Sequence, residues 1–437
     1  MKITVIGAGY VGLVTGVSLA ASGEHQVTFV ERDPRRVSDL RAGQMPIEEP
    51  GLAAAFSEHG ERIGVVEAMN QAERPELVFV AVGTPVGETG DLDLTQIHSV
   101  LRELSDHPEL HVSVRSTLPP GFSQRMPDLL GRPDGARLST NPEFLRQGSA
   151  MEDFRHPSRI VIGRYASTSP EHLELVERVY ASIEAPRISV DVAAAELIKN
   201  AANGFLALKL SFVNEVAALS EEYGVEVDEV LAGIALDPRI GSAYMRPGLG
   251  FGGSCLPKEL QVLDAAGRRH GLSMHIARAA SQVNLEQQDR FAHRILDELP
   301  ERARIGLLGL SFKADTDDLR GSPAIHVARR LVDAGHTVVA YDPAVRAPMA
   351  QAAVPGIEIA TDALDVFRDA DAVVIATEWP QFADIDLEAA AGLARHRRLF
   401  DGRGLIRPAA ALAAGFAYRG VGRRSLNPVE ALSATTS

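Results

Sequence analysis

Apolar residues recur along this chain in two rhythms. Short runs such as KITVIG at the N-terminus, QVTFVE after His25 and ELVFVAVGTP around residue 80 are rich in β-branched residues. Bounded by Gly, Pro, Ser or Thr, they predict buried strands. Between the first two, YVGLVTGVSLAAS carries helical spacing and stops at Gly23,. HVSVRSTLPPG reads as a further buried strand. Strand, tight turn, helix, strand is the unit that recurs, and it implies a parallel sheet covered on both faces.

Near residue 304 the same grammar restarts. RIGLLGLSF parallels KITVIGAGY, HTVVAYDP parallels QVTFVERDP, and DAVVIATEWP parallels ELVFVAVGTP. A whole α/β domain is therefore repeated within the chain. The second copy lacks the full glycine pattern of the first and carries an insertion, KADTDDLRGS, so it is expected to bind a different ligand.

Between the copies, residues 190–224 contain no proline and are rich in Ala, Leu and Glu. They predict one long helix, of the kind that spans two domains or packs against its twin in a dimer. No clean heptad is sustained, which disfavours a coiled coil.

With 437 residues the chain exceeds one core, which stops growing at roughly 250 to 300 residues,. Composition is that of a globular protein, 45% hydrophobic and 23% charged,. A net charge of −14 argues against nucleic acid or anionic membrane as a partner, so an anionic ligand must be held by a local group of Lys and Arg,. The first twenty residues are basic and then apolar, like a secretion signal, but four glycines and an immediate second strand argue against that,. No other apolar run approaches the ~18 residues needed to span a membrane. The one cysteine, Cys255, allows no intrachain disulfide, which fits a reducing cytoplasm,.

GAGYVG places Gly7, Gly9 and Gly12 in G-x-G-x-x-G spacing between a predicted strand and a helix, with Tyr10 and Val11 inside the turn. The glycines permit the turn, the approach of a pyrophosphate and close helix–strand packing, and the helix N-terminus faces the phosphates. Glu31 ends the next strand, where an acid accepts hydrogen bonds from the adenosine ribose. The fold class is therefore α/β, with two Rossmann-like parallel-sheet domains joined by a long central helix. Glu31 would repel a 2′-phosphate and favours NAD, while Arg32 and Arg36 leave NADP open.

GLGFGGSCLPKEL sets Cys255 in a glycine-lined loop beside Lys258. A thiol there becomes a nucleophile if a cation lowers its pKa; the alternative is a buried, inert cysteine. Lys199 and Asn203 are spaced i, i+4 on the long helix and share one face. Read alone, a lysine such as Lys199 is more often a solvated or snorkelling side chain.

Together GAGYVG, VGTP, STLPPG, TNPEFL, AELIKNAANGF, DPRIG, GFGGSCLPK, LSFKADTDDLR, TEW and DGR resemble the UDP-glucose/GDP-mannose dehydrogenase family over essentially the whole chain. The resemblance implies an NAD-binding domain over 1–189, a central helical domain over 190–298 with a dimerisation helix and the cysteine loop, and a nucleotide-sugar-binding domain over 299–437. It implies a cytoplasmic homodimer or higher oligomer that uses NAD twice and no metal. The C6 alcohol of a nucleotide sugar becomes a carboxylate through thiohemiacetal and thioester adducts on Cys255.

Matched position by position, Lys199 and Asn203 stabilise an oxyanion, Thr117 positions a water, and Glu143 does acid–base work. Phe144 and Leu145 contact the substrate through their backbone, and Tyr244, Phe251 and Gly252 belong to the loop over base and ribose. Lys313 and Arg403 bind the nucleotide, and Arg239 reaches the substrate from a neighbouring subunit. Thr84, Thr117 and Arg36 contact NAD. Two residues depart from the family: Glu259 stands where aspartate is usual, and Gln147 where a second glutamate is common. Glu259 is a candidate water activator, with a surface glutamate paired to Lys258 as the alternative. UDP-glucose is the substrate the motifs favour, with TDP-glucose and GDP-mannose as alternatives. A two-electron hydroxyacid dehydrogenase and a non-catalytic nucleotide-sugar sensor fit less of the pattern.

Overall fold

The computed structural model describes residues 1–87 and 90–427. Contacts divide the chain into two compact units, one of Met1–Ala202 with Gln261–Ser273, the other of Asn203–Leu260 with the chain from Met274 onward.

Among the described residues the first unit is built on eight strands: β1 (Lys2–Ile6), β2 (Gln26–Val30), β3 (Ile63–Val66), β4 (Leu77–Val80), β5 (Val112–Val114), β6 (Leu138–Thr140), β7 (Ile160–Arg164) and β8 (Arg187–Asp191). Their order is β3-β2-β1-β4-β5-β6-β7-β8. The first six follow the strand order of dinucleotide-binding sheets, with the ligand crevice where the order reverses beside β1. All four residues of β4 are buried, as a central parallel strand covered on both faces requires,. One pair departs from the expected parallel sheet: β6 and β7 run antiparallel. The connection between them, residues 141–159, carries the six-residue helix Ala150–Arg155. The cores on the two faces draw on Leu13, Val17, Phe29 and Phe79 on one side and Ile97, Leu101, Leu104 and Met126 on the other.

The second unit has six strands, β9 (Arg304–Leu308), β10 (Thr337–Tyr341), β11 (Glu358–Ile359), β12 (Ala372–Ile375), β13 (Arg398–Asp401) and β14 (Ala417–Gly420). Their order, β11-β10-β9-β12-β13-β14, repeats that of the first six strands of the other sheet, and every pair is parallel. The repeat read from the sequence is thus a repeat of topology.

The long helix runs over Val192–Tyr223, 32 residues, or about 48 Å at 1.5 Å per residue,. Its start is set by Asp191, whose side chain accepts the Ala193 N–H at 2.8 Å,. Gly204 does not interrupt it. Among the described residues no helix is long and apolar enough to cross a membrane.

Candidate active site

The glycine turn lies between β1 and the helix Tyr10–Ala21. A Cβ on Gly12 would stand 1.9 Å from the Gly7 carbonyl oxygen, so only glycine lets the helix approach its own turn,. A Cβ on Gly9 would meet nothing within 4 Å, which leaves that backbone open to a ligand. The Glu31 carboxylate, at the end of β2, accepts the N–H of Ala8 at 3.0 Å and that of Asp33 at 3.0 Å, and pairs with Arg36 at 3.2 Å. Arg32 turns away to Ser99 and Glu103. An open glycine turn, a helix N-terminus and an acid at the strand end fit the pyrophosphate and ribose of NAD, and both arginines are already engaged by acids.

The second α/β copy uses the corresponding space differently. There Asp342, just after β10, accepts the N–H groups of Leu310 at 2.7 Å and Ser311 at 2.9 Å, and the Trp379 indole N–H at 3.2 Å. The Leu310 bond matches that of Ala8 to Glu31 in the first copy, and Asp342 takes the Ser311 and Trp379 donors as well.

Around the end of β5, Thr84 donates its hydroxyl to the Thr117 carbonyl at 2.9 Å. Thr117, Thr140, Glu196, Lys199 and Asn200 line one small cavity. The Lys199 ammonium lies 3.0 Å from a Glu143 carboxylate oxygen, and both side chains are under a tenth exposed. It also lies 5.3 Å from the centre of the Phe144 ring. The other Glu143 oxygen accepts the Leu145 N–H at 2.6 Å. Burial alone would push the Glu143 carboxyl up. The Lys199 charge beside it, with the Leu145 bond and Arg115, holds it below the ordinary carboxylate range,. Glu143 is therefore ionised at neutral pH.

Cys255 is partly exposed and directly precedes the helix Leu256–Arg269. Arg320 lies within electrostatic reach of its thiol, and the Arg320 carbonyl accepts the Gly253 N–H at 2.8 Å. A helix N-terminus and a guanidinium are surroundings in which a thiol acts as a nucleophile. The loop before it is held rigidly. A Cβ on Gly252 would lie 2.2 Å from the Gly321 carbonyl oxygen. Asn284 accepts the Phe251 N–H at 2.7 Å and donates to its carbonyl at 3.0 Å. Arg403 donates to the carbonyls of Ala376 at 2.9 Å, Phe312 at 3.2 Å and Gly250 at 3.3 Å. The Lys313 ammonium stands 5.8 Å from the centre of the Phe312 ring. The second unit thus gathers Cys255, the glycine loop, Lys313 and Arg403 in one region.

Models of the UDP-glucose/GDP-mannose dehydrogenase family match in sequence order: its NAD binding domain over residues 1–184, its central domain over 193–286 and its UDP binding domain over 306–408. The chain belongs to this family. It is similar to a UDP-glucose 6-dehydrogenase of Rhizobium meliloti, 36% identical over 438 residues covering 97% of this chain and 100% of that protein. A solved UDP-glucose dehydrogenase from Pyrobaculum islandicum shares 36% identity at a TM-score of 0.86, over 97% of this chain and 98% of that one. A solved UDP-D-ManNAc dehydrogenase from Pyrococcus horikoshii shares 27% at 0.84, over 97% and 99%. The chain is accordingly an NAD-dependent dehydrogenase.

Asn203 follows Lys199 by one helical turn and is half-buried. Glu259 lies in the first turn of the helix after Cys255 and is 1% exposed, so it is not a surface glutamate. Phe251 is buried, and its part in the loop is through its backbone. Tyr244 adopts a positive φ of 60°. Arg239 is exposed and pairs with Asp237 at 2.6 Å within its own turn.

Sequence reasoning missed the residues that hold these groups. Arg115 is buried and bonded to Asn141 and Tyr180, anchoring the strand end that leads to Glu143. Glu196 accepts the N–H groups of Gly121 at 2.7 Å and Ser123 at 2.8 Å, fixing the loop that carries Thr117. Burial raises its pKa against those bonds. Asn284 and Gln287 secure the glycine loop from the helix His275–Glu298. Their signal was polar residues at helical spacing among buried apolar positions, here Ala277, Ala280 and Phe291.

Proposed function

We propose that this protein oxidises the C6 alcohol of UDP-glucose to the carboxylate in two successive hydride transfers at one site. The observation that carries the reading is Cys255, the chain's single thiol, set at a helix N-terminus within reach of Arg320 and in the same unit as the Arg403-bound glycine loop. NAD, when bound at the Gly7–Gly12 turn, supplies the hydride acceptor for each step. The chain's own residues do the remainder. Glu143, ionised beside Lys199, takes up a proton as the alcohol becomes an aldehyde. The Cys255 sulfur adds to the aldehyde carbon, and the thiohemiacetal becomes a thioester when the second hydride leaves. Water, activated by Glu259 or held by Thr117, attacks the thioester carbon and releases the thiolate. Lys199 and the Asn203 amide stabilise the oxyanions. One alcohol, two NAD and one water give one carboxylate, two NADH and three protons.

Lys313 and Arg403 supply cationic groups for the diphosphate in an otherwise acidic chain, and Arg239 is assigned to the partner's site. The domain division at 189 and 298 and a cytoplasmic setting belong to the same reading. A homodimer is supported by Phe205, Phe212 and Leu219. They are spaced seven residues apart on the long helix and exposed by 63%, 53% and 58%,.

An NADH-release screen with UDP-glucose, TDP-glucose, GDP-mannose and UDP-N-acetylmannosamine tests the substrate assignment. UDP-glucose should give the highest kcat/KM; preference for the N-acetylated sugar would overturn it. Cys255→Ser should stall with aldehyde-level or covalently bound product visible by mass spectrometry, and full turnover in that variant would remove the thiol from the mechanism.

A further inference from the structure

Glu49 lies outside every motif on which the family resemblance rests, in the stretch MPIEEPG. It is nevertheless buried, 7% exposed. Three neutral donors converge on its carboxylate. The Tyr10 hydroxyl and the Gly148 N–H, at 2.7 Å, both donate to Oε2, and the Ala150 N–H donates to Oε1 at 2.7 Å. Bonds to an ionised acceptor are roughly twice as strong as neutral ones. A buried carboxylate so placed is a strong local tie.

The donors come from two functional segments. Tyr10 opens the first helix directly after Gly9, within the glycine turn that fits NAD. Gly148 and Ala150 end the loop that begins at Glu143. That loop is pinned at Leu145 by Glu143 and at Arg146 by Asp153, which accepts both the backbone N–H at 2.8 Å and the guanidinium at 2.6 Å. One end of the loop is thus held by the Glu143–Lys199 pair and the other by Glu49. The same Oε2 atom serves the cofactor turn and the substrate loop, so a shift in one donor alters the bond available to the other.

We propose that Glu49 is a positioning residue that couples NAD binding to nucleotide-sugar binding. The inference rests on the reading above, in which NAD occupies the Gly7–Gly12 turn and the nucleotide sugar lies against residues 143–145. Ordering one segment through Glu49 lowers the cost of ordering the other, which makes the two ligands bind with positive cooperativity. A residue that merely stabilised the fold would change Tm and leave the two ligands independent.

The test is calorimetric titration of the full-length protein with NAD, with and without saturating UDP-glucuronate, the product nucleotide sugar, which NAD cannot oxidise further at C6. In the wild type, UDP-glucuronate should lower the NAD Kd about fivefold or more. Tyr10→Phe removes one hydroxyl, keeps the ring and should bring that ratio close to one. Glu49→Gln should do the same, and because a buried change there can impair folding, Tyr10→Phe carries the decision. Independent binding in the wild type, or an undiminished ratio in Tyr10→Phe, overturns the coupling while leaving the enzyme assignment intact. Failure of either ligand to bind the wild type overturns the assignment and the coupling with it.

Discussion

Glu259 and Glu143 are both buried carboxylates near the proposed chemistry, and they are expected to respond differently to loss of charge. Glu259 sits one turn into the helix that starts after Cys255, four residues from the thiol. Glu259→Gln keeps its shape and removes the base, so kcat should fall about 10²-fold with little change in KM. A near-normal kcat would move the proton transfer to Glu143. Glu143→Gln breaks the pair with Lys199 and leaves a buried ammonium short of its carboxylate. Steady-state kinetics should then show a loss of at least ~10²-fold in kcat/KM with a lower Tm, since removing one member of a buried ion pair costs about 3–5 kcal/mol. A stable Glu143→Gln protein with unaltered kinetics would contradict the role given to that pair. Lys199, Glu143 and Cys255 could be singled out in the sequence because they sit in ordered motifs. The Lys199–Glu143 contact was not, since 56 residues separate the two and no spacing rule connects a loop to a distant helix. Arg115, Glu196 and Asn284 were missed for the same reason: each looks ordinary in its own segment, and only the packed sheet shows what it holds.

At the scale of elements, strands and helices were readable wherever the hydrophobic period was long and clean, as in β1, β4 and the helix Val192–Tyr223. The antiparallel β6–β7 pair was not, because strand direction leaves no mark on the strand's own pattern. The seven-residue spacing of Phe205, Phe212 and Leu219 was hidden by the apolar residues on the helix's other faces. Burial separates the stripes. Phe212→Glu should yield a monomer by light scattering, and a dimer that survives this change would place the interface elsewhere. A second element-level test concerns β5 and the helix Pro170–Val179. His172 meets His111 Nδ1 to Nδ1 at 3.1 Å and Ser139 at 2.9 Å, with Glu171, Arg132 and Arg137 around the pair. Burial pulls the His172 pKa down to about 3, and His111 acts in the same direction. The unfolded chain binds a proton below about 6.5 and the folded one does not. Stability should therefore fall as pH drops from about 6.5 toward 3, by at most about 1.4 kcal/mol per pH unit from this group. His172→Gln should flatten the dependence of Tm on pH between 7 and 5, and an unchanged slope would show that the histidine pair does not titrate this way.

Across the whole molecule, two sheets that share the order of six strands each set an acid after the second strand of the repeat. Glu31 accepts the Ala8 N–H and Asp342 accepts the matching Leu310 N–H, and Asp342 takes the Ser311 N–H as well. The duplication was visible in the sequence as parallel strand motifs, and the loss of glycines hinted at the change of ligand. If Arg239 completes a neighbouring site, mixing Arg239→Ala with Cys255→Ala subunits should restore part of the activity that each lacks alone; no recovery would confine each site to one chain. The account stands most directly on the claim that a single thiol holds the intermediate between two oxidations. The deciding measurement is the NADH released per UDP-glucose consumed, followed at 340 nm with limiting sugar and excess NAD. Two NADH and one UDP-glucuronate per sugar are predicted, and one NADH per sugar with an aldehyde or ketone product would contradict it.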